Sequence, residues 1–135
     1  MKLGITGTQQ GMTEEQIRFL YDFLLEAQPT EIHAGDCIGV DAQAIVIAMG
    51  VNSQIKRIGH PPIVEKKRAF CPYDEERPEK PYLDRNHDIV DETDILLAFP
   101  KSTEEELRSG TWATIRYAKK QDAEVVIVYP DGTIS

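Results

Sequence analysis

The fold class is indicated first by the stretch of residues 2–16, which reads KLGITGTQQGMTEEQ. Its first part, Lys2 to Thr6, is short and apolar and ends in a glycine-rich turn, so it predicts a first β-strand. Its last part, Thr13 to Gln16, is a capping box, in which both terminal side chains bind the free backbone N–H groups at a helix start. A strand, a glycine turn and a capped helix are therefore expected in direct succession.

The helix after the capping box is predicted to be amphipathic and to end near Pro29. Its apolar residues recur at helical spacing, which predicts one face packed on a sheet. The expected face comprises Ile17, Leu20, Tyr21, Leu24 and Leu25.

The remaining chain alternates strand and helix patterns. Further strands are predicted at Glu31 to Ala34, Ser53 to Ile58, Ile95 to Phe99 and Val125 to Tyr129. Further helices are predicted from Val40 to Met49, from Tyr82 to Thr93 and from Thr111 to Gln121. The helix from Val40 is almost wholly apolar, which predicts burial on all sides, and Gly50 suits its C-terminal cap.

The segment from His60 to Pro81 interrupts this alternation, because it is rich in proline and charge. Lys66, Lys67 and Arg68 stand together within it. A long connection of this composition predicts an excursion over the surface, and functional loops of this length include active-site lids. We therefore expect a surface loop here, which is a candidate lid.

Alternating strands and helices predict a parallel sheet with helices on both faces, because parallel strands need crossover connections. We expect a single Rossmann-like α/β domain over residues 1–135, with a five-stranded parallel sheet. In such sheets, ligands bind beyond the carboxyl ends of the strands, where the strand order reverses. The strand residues expected to be buried are Leu3, Ile5, Ile32, Ile95, Leu97, Val126 and Val128.

The composition restricts the classes of function. The chain has 23 acidic and 15 basic residues and a net charge of −8, so we expect no nucleic acid polymer as partner. No apolar run approaches the roughly 20 residues that span a bilayer, so we expect no membrane association. Cys37 and Cys71 fit no metal or redox spacing, and no signal segment precedes the first strand, so a cytosolic location is expected.

The first strand-to-helix turn carries the candidate binding residues Thr6, Gly7, Thr8 and Gln9. Backbone N–H groups in such a turn, together with the N-terminus of the following helix, suit an anion. The glycine spacing matches neither the dinucleotide fingerprint nor the P-loop. A purely geometric role for the glycines is therefore the alternative.

The second turn places Gly35, Asp36, Gly39 and Asp41 at the start of the apolar helix. These residues are further candidates for ligand binding. For Asp41 two interpretations stay open, because its carboxylate suits either a ribose hydroxyl or support of the helix N-terminus.

The third turn combines the Arg108 guanidinium with Ser109, Gly110 and Thr111 at a helix start. A cation, two hydroxyls and a helix N-terminus together suit phosphate, and an ordinary helix cap is the alternative. The pair Arg85-Asn86 on the preceding predicted helix is expected to face the same side, although an exposed surface position is the alternative for both residues.

The sequence contains no known motif for metal binding or for catalysis. His33, His60 and His87 do not stand at the usual intervals of metal ligands, so no metal and no other cofactor is predicted. The sequence has no Gly-x-Ser-x-Gly motif, and no Ser/His/Asp set can be assembled from it. No residue is assigned a catalytic role on this basis.

Taken together, these loops resemble the SLOG superfamily, which includes DprA, the lonely-guy phosphoribohydrolases and nucleotide-sensing domains of bacterial defence systems. The resemblance spans nearly the whole chain, and its most specific part is the Gly-x-x-x-Gly-Val-Asp turn followed by Arg-Asn and Ser-Gly-Thr. It implies a Rossmann-like sheet, a nucleotide or nucleotide-derived ligand over the strand ends, and often a homodimer. The matching pieces are Gly4 to Thr8, His33 to Asp41, Arg85-Asn86, Asp94 to Phe99 and Ser109 to Thr111.

Two departures from these relatives restrict the function that the resemblance implies. Lonely-guy enzymes carry Pro-Gly-Gly-x-Gly-Thr-x-x-Glu with a catalytic glutamate, and Thr114 takes the place of that glutamate here. DprA-like proteins bind single-stranded DNA on basic surfaces, which the acidity of this chain disfavours. The leading hypothesis is therefore a binding module for a nucleotide or nucleotide-derived molecule.

Two alternatives remain at this stage. The first is a hydrolase or transferase that acts on an N-glycosidic bond, with Asp36, Asp41 or another acid as the substitute acid. The second is a partner-docking subunit with a vestigial pocket, because a fold does not determine a function.

Overall fold

The computed structural model describes all 135 residues and contains one six-stranded parallel sheet. The strands are β1 (Lys2–Gly7), β2 (Glu31–Ala34), β3 (Lys56–Gly59), β4 (Glu75–Glu76), β5 (Ile95–Phe99) and β6 (Glu124–Ile127). The helices are α1 (Glu14–Ala27), α2 (Val40–Val51), α3 (Tyr82–Glu92) and α4 (Gly110–Lys120). The predicted parallel α/β architecture is confirmed.

The predicted number of five strands is wrong, because β4 forms within the segment expected to be only a surface loop. β4 has two residues, Glu75 and Glu76, which pair with Ile58 and Gly59 at the edge of the sheet. Both glutamates are exposed, so nothing in their side chains signals a strand. The strand forms because its backbone pairs with the backbone of β3 at the open edge of the sheet. The pattern of side chains in the sequence does not predict such backbone pairing.

The strand order is β4-β3-β2-β1-β5-β6, so the chain reverses direction across the sheet between β1 and β5. From β1 the chain adds β2, β3 and β4 on one side and then returns to add β5 and β6 on the other. At the carboxyl ends of the two central strands, Gly7 pairs with Phe99. Ligands of open α/β sheets bind in the crevice beyond this point of reversal.

Helices cover both faces of the sheet, as predicted. Alternate strand residues, such as Leu3 and Ile32, form the main core with α1 and α2. The residues between them, such as Leu96 and Ala98, pack with α3 and α4. Of the seven strand residues expected to be buried, Val126 alone is only half-buried, because β6 is an edge strand.

The capping box at Thr13 and Gln16 is present as predicted. The Gln16 amide is buried and also donates to the carbonyl oxygens of Pro100 and Val128, at 3.0 and 2.8 Å. The predicted apolar face is partly wrong, since Tyr21 and Leu25 are 49% and 47% exposed. The face packed on the sheet runs instead through Gln16, Leu20 and Leu24, so that the anchoring amide sets the rotation of the helix.

The predicted limits and burial of α2 also need correction. The helix continues through Gly50 to Val51, and extended Asn52 caps it, so Gly50 is not the C-terminal cap. Val46 is 63% and Met49 38% exposed, because a helix on a sheet has one face toward solvent. No helix of the protein is both long enough and apolar enough to cross a membrane.

The segment from residue 60 to residue 81 is tied to the rest of the molecule at several points. Its single turn of 3-10 helix, Glu65–Lys67, lies beside the β2–α2 turn, where the Ile38 N–H donates to the Lys67 carbonyl oxygen at 3.0 Å. Arg68 binds Asp36 in the same turn. The segment is therefore fixed over the carboxyl end of β2.

Candidate functional site

A cleft of about 660 Å³ lies at the carboxyl ends of the central strands. Its walls come from the β1–α1 loop, the β2–α2 turn, the β5–α4 loop, the start of α3 and the segment around the 3-10 turn. The cleft therefore lies where β1 and β5 end side by side, which is the position that the reversal in strand order predicts. Ten of the thirteen predicted binding residues line it: Thr6, Gly7, Thr8, Gln9, Asp41, Arg85, Asn86, Ser109, Gly110 and Thr111.

Backbone hydrogen bonds hold the β1–α1 loop against the end of β5 and the start of α2. The Thr8 N–H donates to the Phe99 carbonyl oxygen, and the Thr8 carbonyl oxygen accepts from the Gly11 and Val40 N–H groups, at 3.1, 3.2 and 3.1 Å. Gly39 has a φ of +91°, and a Cβ there would lie 2.5 Å from the Gln9 carbonyl oxygen. The loop thus rests directly on the start of α2, and only glycine permits that approach.

The N-terminus of α4 forms a second wall. The Ser109 hydroxyl accepts from the Trp112 N–H at 3.3 Å and so caps the helix. Tyr82, which is 53% exposed, lies over Gly110, where an added Cβ would stand 3.5 Å from Tyr82 Cε2. An anion can approach this helix end, whose backbone N–H groups carry partial positive charge.

Arg85 is buried and is largely occupied by backbone contacts. Its guanidinium donates to the carbonyl oxygens of Gly35, His60 and Tyr82, and it contacts Cys37 Sγ at 3.3 Å. Arg85 therefore joins α3 to the ends of β2 and β3, and it also brings positive charge to the floor of the cleft. Asn86 beside it is 7% exposed and lines the cleft.

Asp41 is a buried carboxyl group in the cleft wall. Its Oδ2 accepts from the Cys37 N–H at 3.2 Å. Burial raises the pKa of Asp41 from 3.8 to about 6, although the nearby Arg85 guanidinium lowers it. Near neutral pH a larger fraction of this carboxyl group is therefore protonated than of an exposed aspartate.

Three predicted binding residues, Gly35, Asp36 and Gly39, do not line the cleft. Asp36 has no solvent exposure and accepts from Arg68 Nε, the Phe70 N–H and the Cys71 N–H. Gly35 packs against Arg85, and Gly39 supports the β1–α1 loop. These three residues position the cleft walls. The glycines and the aspartate of the second turn therefore serve the structure of the turn, and they form no part of the cleft surface.

Several residues of the cleft wall were not among the predicted binding residues: Gln10, Cys37, Lys66, Lys67, Tyr82, Lys101, Arg108 and Trp112. Lys66 and Lys67 stand in a basic cluster of the sequence, but nothing in the residue pattern places their segment over β2. Arg108 stands beside the third turn. Lys101 and Tyr82 could not be predicted as cleft residues, because neither belongs to a recognisable sequence motif.

The cleft is basic although the chain is acidic. Its wall contains five cations, namely Lys66, Lys67, Arg85, Lys101 and Arg108, against two carboxylates, Asp41 and Glu106. Lys101 lies 3.7 Å from Glu106. Lys66, Lys67 and Arg108 form no ion pair with any carboxylate. A concave wall of this charge attracts anions.

A buried histidine pair lies outside the cleft. His33 Nδ1 and His60 Nε2 are 2.9 Å apart, and His33 Nε2 lies 2.8 Å from Glu31 Oε1. Burial lowers the pKa of His60 to about 4. One nitrogen of each ring and one oxygen of Glu92 lie within 4.8 Å of one another. Sequence intervals did not reveal this group, because His33 lies in β2 and His60 follows the adjacent strand β3.

Thr114, at the place of the lonely-guy glutamate, does not line the cleft. It is buried, and its hydroxyl donates to the Gly110 carbonyl oxygen at 2.9 Å within α4. The side chain is therefore bound to its own helix and offers nothing to a ligand.

Comparisons with known proteins show a similarity of fold and nothing further. No family model matches the chain, and no curated protein matches it. The molybdenum cofactor binding protein from the phototrophic bacterium Rippkaea orientalis has a similar structure, with a TM-score of 0.72 and 17% identity over 95% of this chain and 76% of that one. A structural-genomics target designated TM1055 is also similar, with a TM-score of 0.63 and 16% identity over 92% of this chain and 71% of that one. These two likenesses support the Rossmann-like α/β fold class.

Proposed function

We propose that this chain binds a phosphate-bearing nucleotide or nucleotide-derived small molecule in the cleft. The observation that carries the proposal is the convergence of unpaired cations on one concave site in a chain of net charge −8. Cations without carboxylate partners repel one another, so a site that gathers them is stabilised by an anionic ligand.

The backbone of the cleft supports the same conclusion. Gly110 and Thr111, at the capped start of α4, line the cleft with the N–H groups of a helix end, and the β1–α1 loop lines the same space. Such groups stabilise phosphate oxygens through hydrogen bonds and through the partial positive charge of a helix end. Thr6, Thr8, Ser109 and Thr111 add hydroxyl groups, which suit phosphate oxygens or ribose hydroxyls.

The resemblance to the SLOG superfamily points to the same class of ligand, because those proteins hold nucleotides over equivalent strand ends. The structurally similar protein from Rippkaea orientalis is described as binding a molybdenum cofactor. That description supports a small-molecule ligand for this fold. In this chain the residues proposed to contact the ligand are those that line the cleft, with Gly35, Asp36 and Gly39 as supports behind them.

Thermal-shift screening followed by calorimetry tests the proposal. Purified protein is screened against nucleoside mono-, di- and cyclic phosphates, because a ligand at 100 times its Kd adds about 2.7 kcal/mol to the stability of the folded state. We expect at least one of these nucleotides to raise the melting temperature. Failure of all of them to raise it at millimolar concentration contradicts the proposal.

A matched pair of variants assigns the binding to the cleft. Arg108→Ala removes an exposed, unpaired cation from the cleft wall, and Lys120→Ala removes an exposed, unpaired cation from the end of α4. We expect Arg108→Ala to weaken binding about tenfold, since a charge-assisted hydrogen bond contributes roughly 1.5 kcal/mol or more. Lys120→Ala is expected to bind as the unaltered protein does. Equal loss in both variants places the ligand elsewhere.

Hydrolysis or transfer at an N-glycosidic bond is a second candidate function, and Asp41 is the observation that favours it. This carboxyl group lines the cleft and has a pKa of about 6, which suits a general acid or base. Asp36, the other substitute acid, already accepts hydrogen bonds from Arg68 and from two backbone N–H groups. Of these two aspartates, Asp41 alone lines the cleft.

Two further properties are proposed. We infer a homodimer from the same resemblance, and a cytosolic location from the two cysteines, Cys37 and Cys71, which form no disulfide. Light scattering on purified protein tests the first, with a mass of twice 15.2 kDa as the expected result. Fractionation of the source cells tests the second.

A further inference from the structure

The unpaired cations of the cleft come from two separate segments of the chain. Lys66 and Lys67 lie on the 3-10 turn after β3, whereas Arg108 lies in the β5–α4 loop. All three are exposed, and none of them has a carboxylate within ion-pair distance. The other two cations of the cleft are engaged, because Lys101 lies near Glu106 and Arg85 is bound to backbone carbonyls.

The charges of the engaged groups approximately cancel. Glu106 offsets Lys101, and Asp41, when ionised, offsets Arg85. About three positive charges therefore remain for a ligand. A phosphate monoester carries about −1.5 to −2 near neutral pH, which leaves at least one of the three cations unmatched.

A diphosphate matches this remainder better, because its second phosphoryl group brings the ligand charge to roughly −3. The placement of the three unpaired cations on two separate segments of the cleft wall also suits a diphosphate group. One phosphoryl group can lie at the start of α4 beside Arg108, where backbone N–H groups are available, and the other can lie toward Lys66 and Lys67. The cleft volume of about 660 Å³ is within the range of sites that hold a ligand of that size.

We propose that the ligand of this cleft is a nucleotide with a diphosphate group, held at one end by Arg108 and the start of α4 and at the other end by Lys66 and Lys67. This inference rests on the proposed function and adds the number of phosphates. It also gives the segment 60–81 a role in ligand recognition.

The test compares mono- and diphosphates of the same nucleoside. Calorimetry is carried out with AMP, ADP, GMP and GDP at fixed ionic strength, and with orthophosphate and pyrophosphate as probes without a base. We expect at least one diphosphate to bind ten or more times more tightly than its monophosphate, and pyrophosphate to bind more tightly than orthophosphate.

A double variant shows which residues produce the difference. Lys66→Ala with Lys67→Ala is expected to reduce the ratio of diphosphate to monophosphate affinity to about one. Lys119→Ala with Lys120→Ala is the matched control, because it removes an adjacent pair of exposed lysines at the far end of α4. The control is expected to keep the ratio of the unaltered protein.

The outcomes separate this inference from the proposed function. Mono- and diphosphates that bind equally well overturn the diphosphate assignment and leave nucleotide binding intact. A preference for diphosphate that survives the loss of Lys66 and Lys67 also overturns it, because the recognition then lies elsewhere. Absence of binding by every nucleotide overturns both proposals.

Discussion

Arg68 Nε donates to Asp36 Oδ2 at 2.7 Å, and Asp36 has no solvent exposure. The same carboxylate accepts from the backbone N–H groups of Phe70 and Cys71, at 3.2 and 3.0 Å. Asp36 in the β2–α2 turn therefore holds the segment that carries Lys66 and Lys67. The position of the basic wall therefore depends on a residue that does not itself line the cleft.

We predict that Asp36→Asn destabilises the fold by about 3 kcal/mol. The substitution removes the charge that pairs with Arg68 and places an amide NH₂ group among hydrogen-bond donors, and breaking a buried ion pair is costly. Urea denaturation measures the change. Asp74→Asn, which weakens the exposed Arg57–Asp74 pair, is the control and is expected to have a much smaller effect. Similar changes in the two variants contradict the structural role of Asp36.

A second prediction concerns the contact between Gly7 and Val40. An added Cβ at Gly7 would lie 2.5 Å from Val40 Cγ1, so Gly7→Ala is expected to destabilise the protein by roughly 1–3 kcal/mol. Val40→Ala alone leaves a cavity and is also destabilising. The double variant is expected to be more stable than the sum of the two changes predicts, because Val40→Ala makes room for the new methyl group. Additive free energies of unfolding in a double-mutant cycle argue against this contact.

The third prediction is a pH dependence that originates at Asp41. Its pKa of about 6 in the folded protein exceeds the value of 3.8 for an unburied aspartate, so the folded state binds this proton more tightly. The contribution of Asp41 to stability is therefore complete below pH 4 and is lost as the pH rises through 6. Asp41→Asn stays neutral, and its Oδ1 can still accept from the Cys37 N–H.

We thus expect Asp41→Asn to be more stable than the unaltered protein by roughly 3 kcal/mol at pH 8 and about equally stable at pH 4. Thermal unfolding across this pH range measures the difference. Asp22→Asn on the exposed surface of α1 serves as control and is expected to show no such trend. A constant difference between Asp41→Asn and the unaltered protein at all pH values refutes the origin proposed here.

Much of the fold could be predicted because its signals are local. The capping box at Thr13 and Gln16 and the apolar run Ile95–Phe99 each specify an element within a few residues. The two-residue strand β4 could not be predicted, since its glutamates pair only through backbone groups. The rotation of α1 was also missed, because Gln16 is anchored by carbonyl oxygens more than 80 residues away in the sequence.

The candidate site could be predicted where a strand runs into a helix. The first and third turns line the cleft because their glycines and hydroxyls stand directly at strand and helix ends. The pattern Gly-Asp around Asp36 was misleading, since a carboxylate in a turn serves equally well to bind a neighbouring segment. Only the fold shows that Arg68 is that partner and that Lys66 and Lys67 thereby face the cleft.

The last prediction separates a binding module from an N-glycosidase. Cleavage of this bond passes through an oxocarbenium-like transition state, which a nearby carboxylate stabilises. Thr114 cannot supply that charge, because its hydroxyl is un-ionised and donates to the Gly110 carbonyl oxygen. Asp36 already accepts hydrogen bonds from within the protein, so Asp41 is the one acid of the two that lines the cleft.

The catalytic glutamate of the lonely-guy enzymes is missing here, and acid or base assistance typically contributes about 10²- to 10⁴-fold to the rate. We therefore expect no release of free base above background from nucleoside monophosphates. Chromatography of the incubated nucleotides measures that release. Robust release by the unaltered protein contradicts the binding module. Loss of that release in Asp41→Asn assigns the acid to Asp41, whereas release that persists in Asp41→Asn excludes Asp41 as the acid.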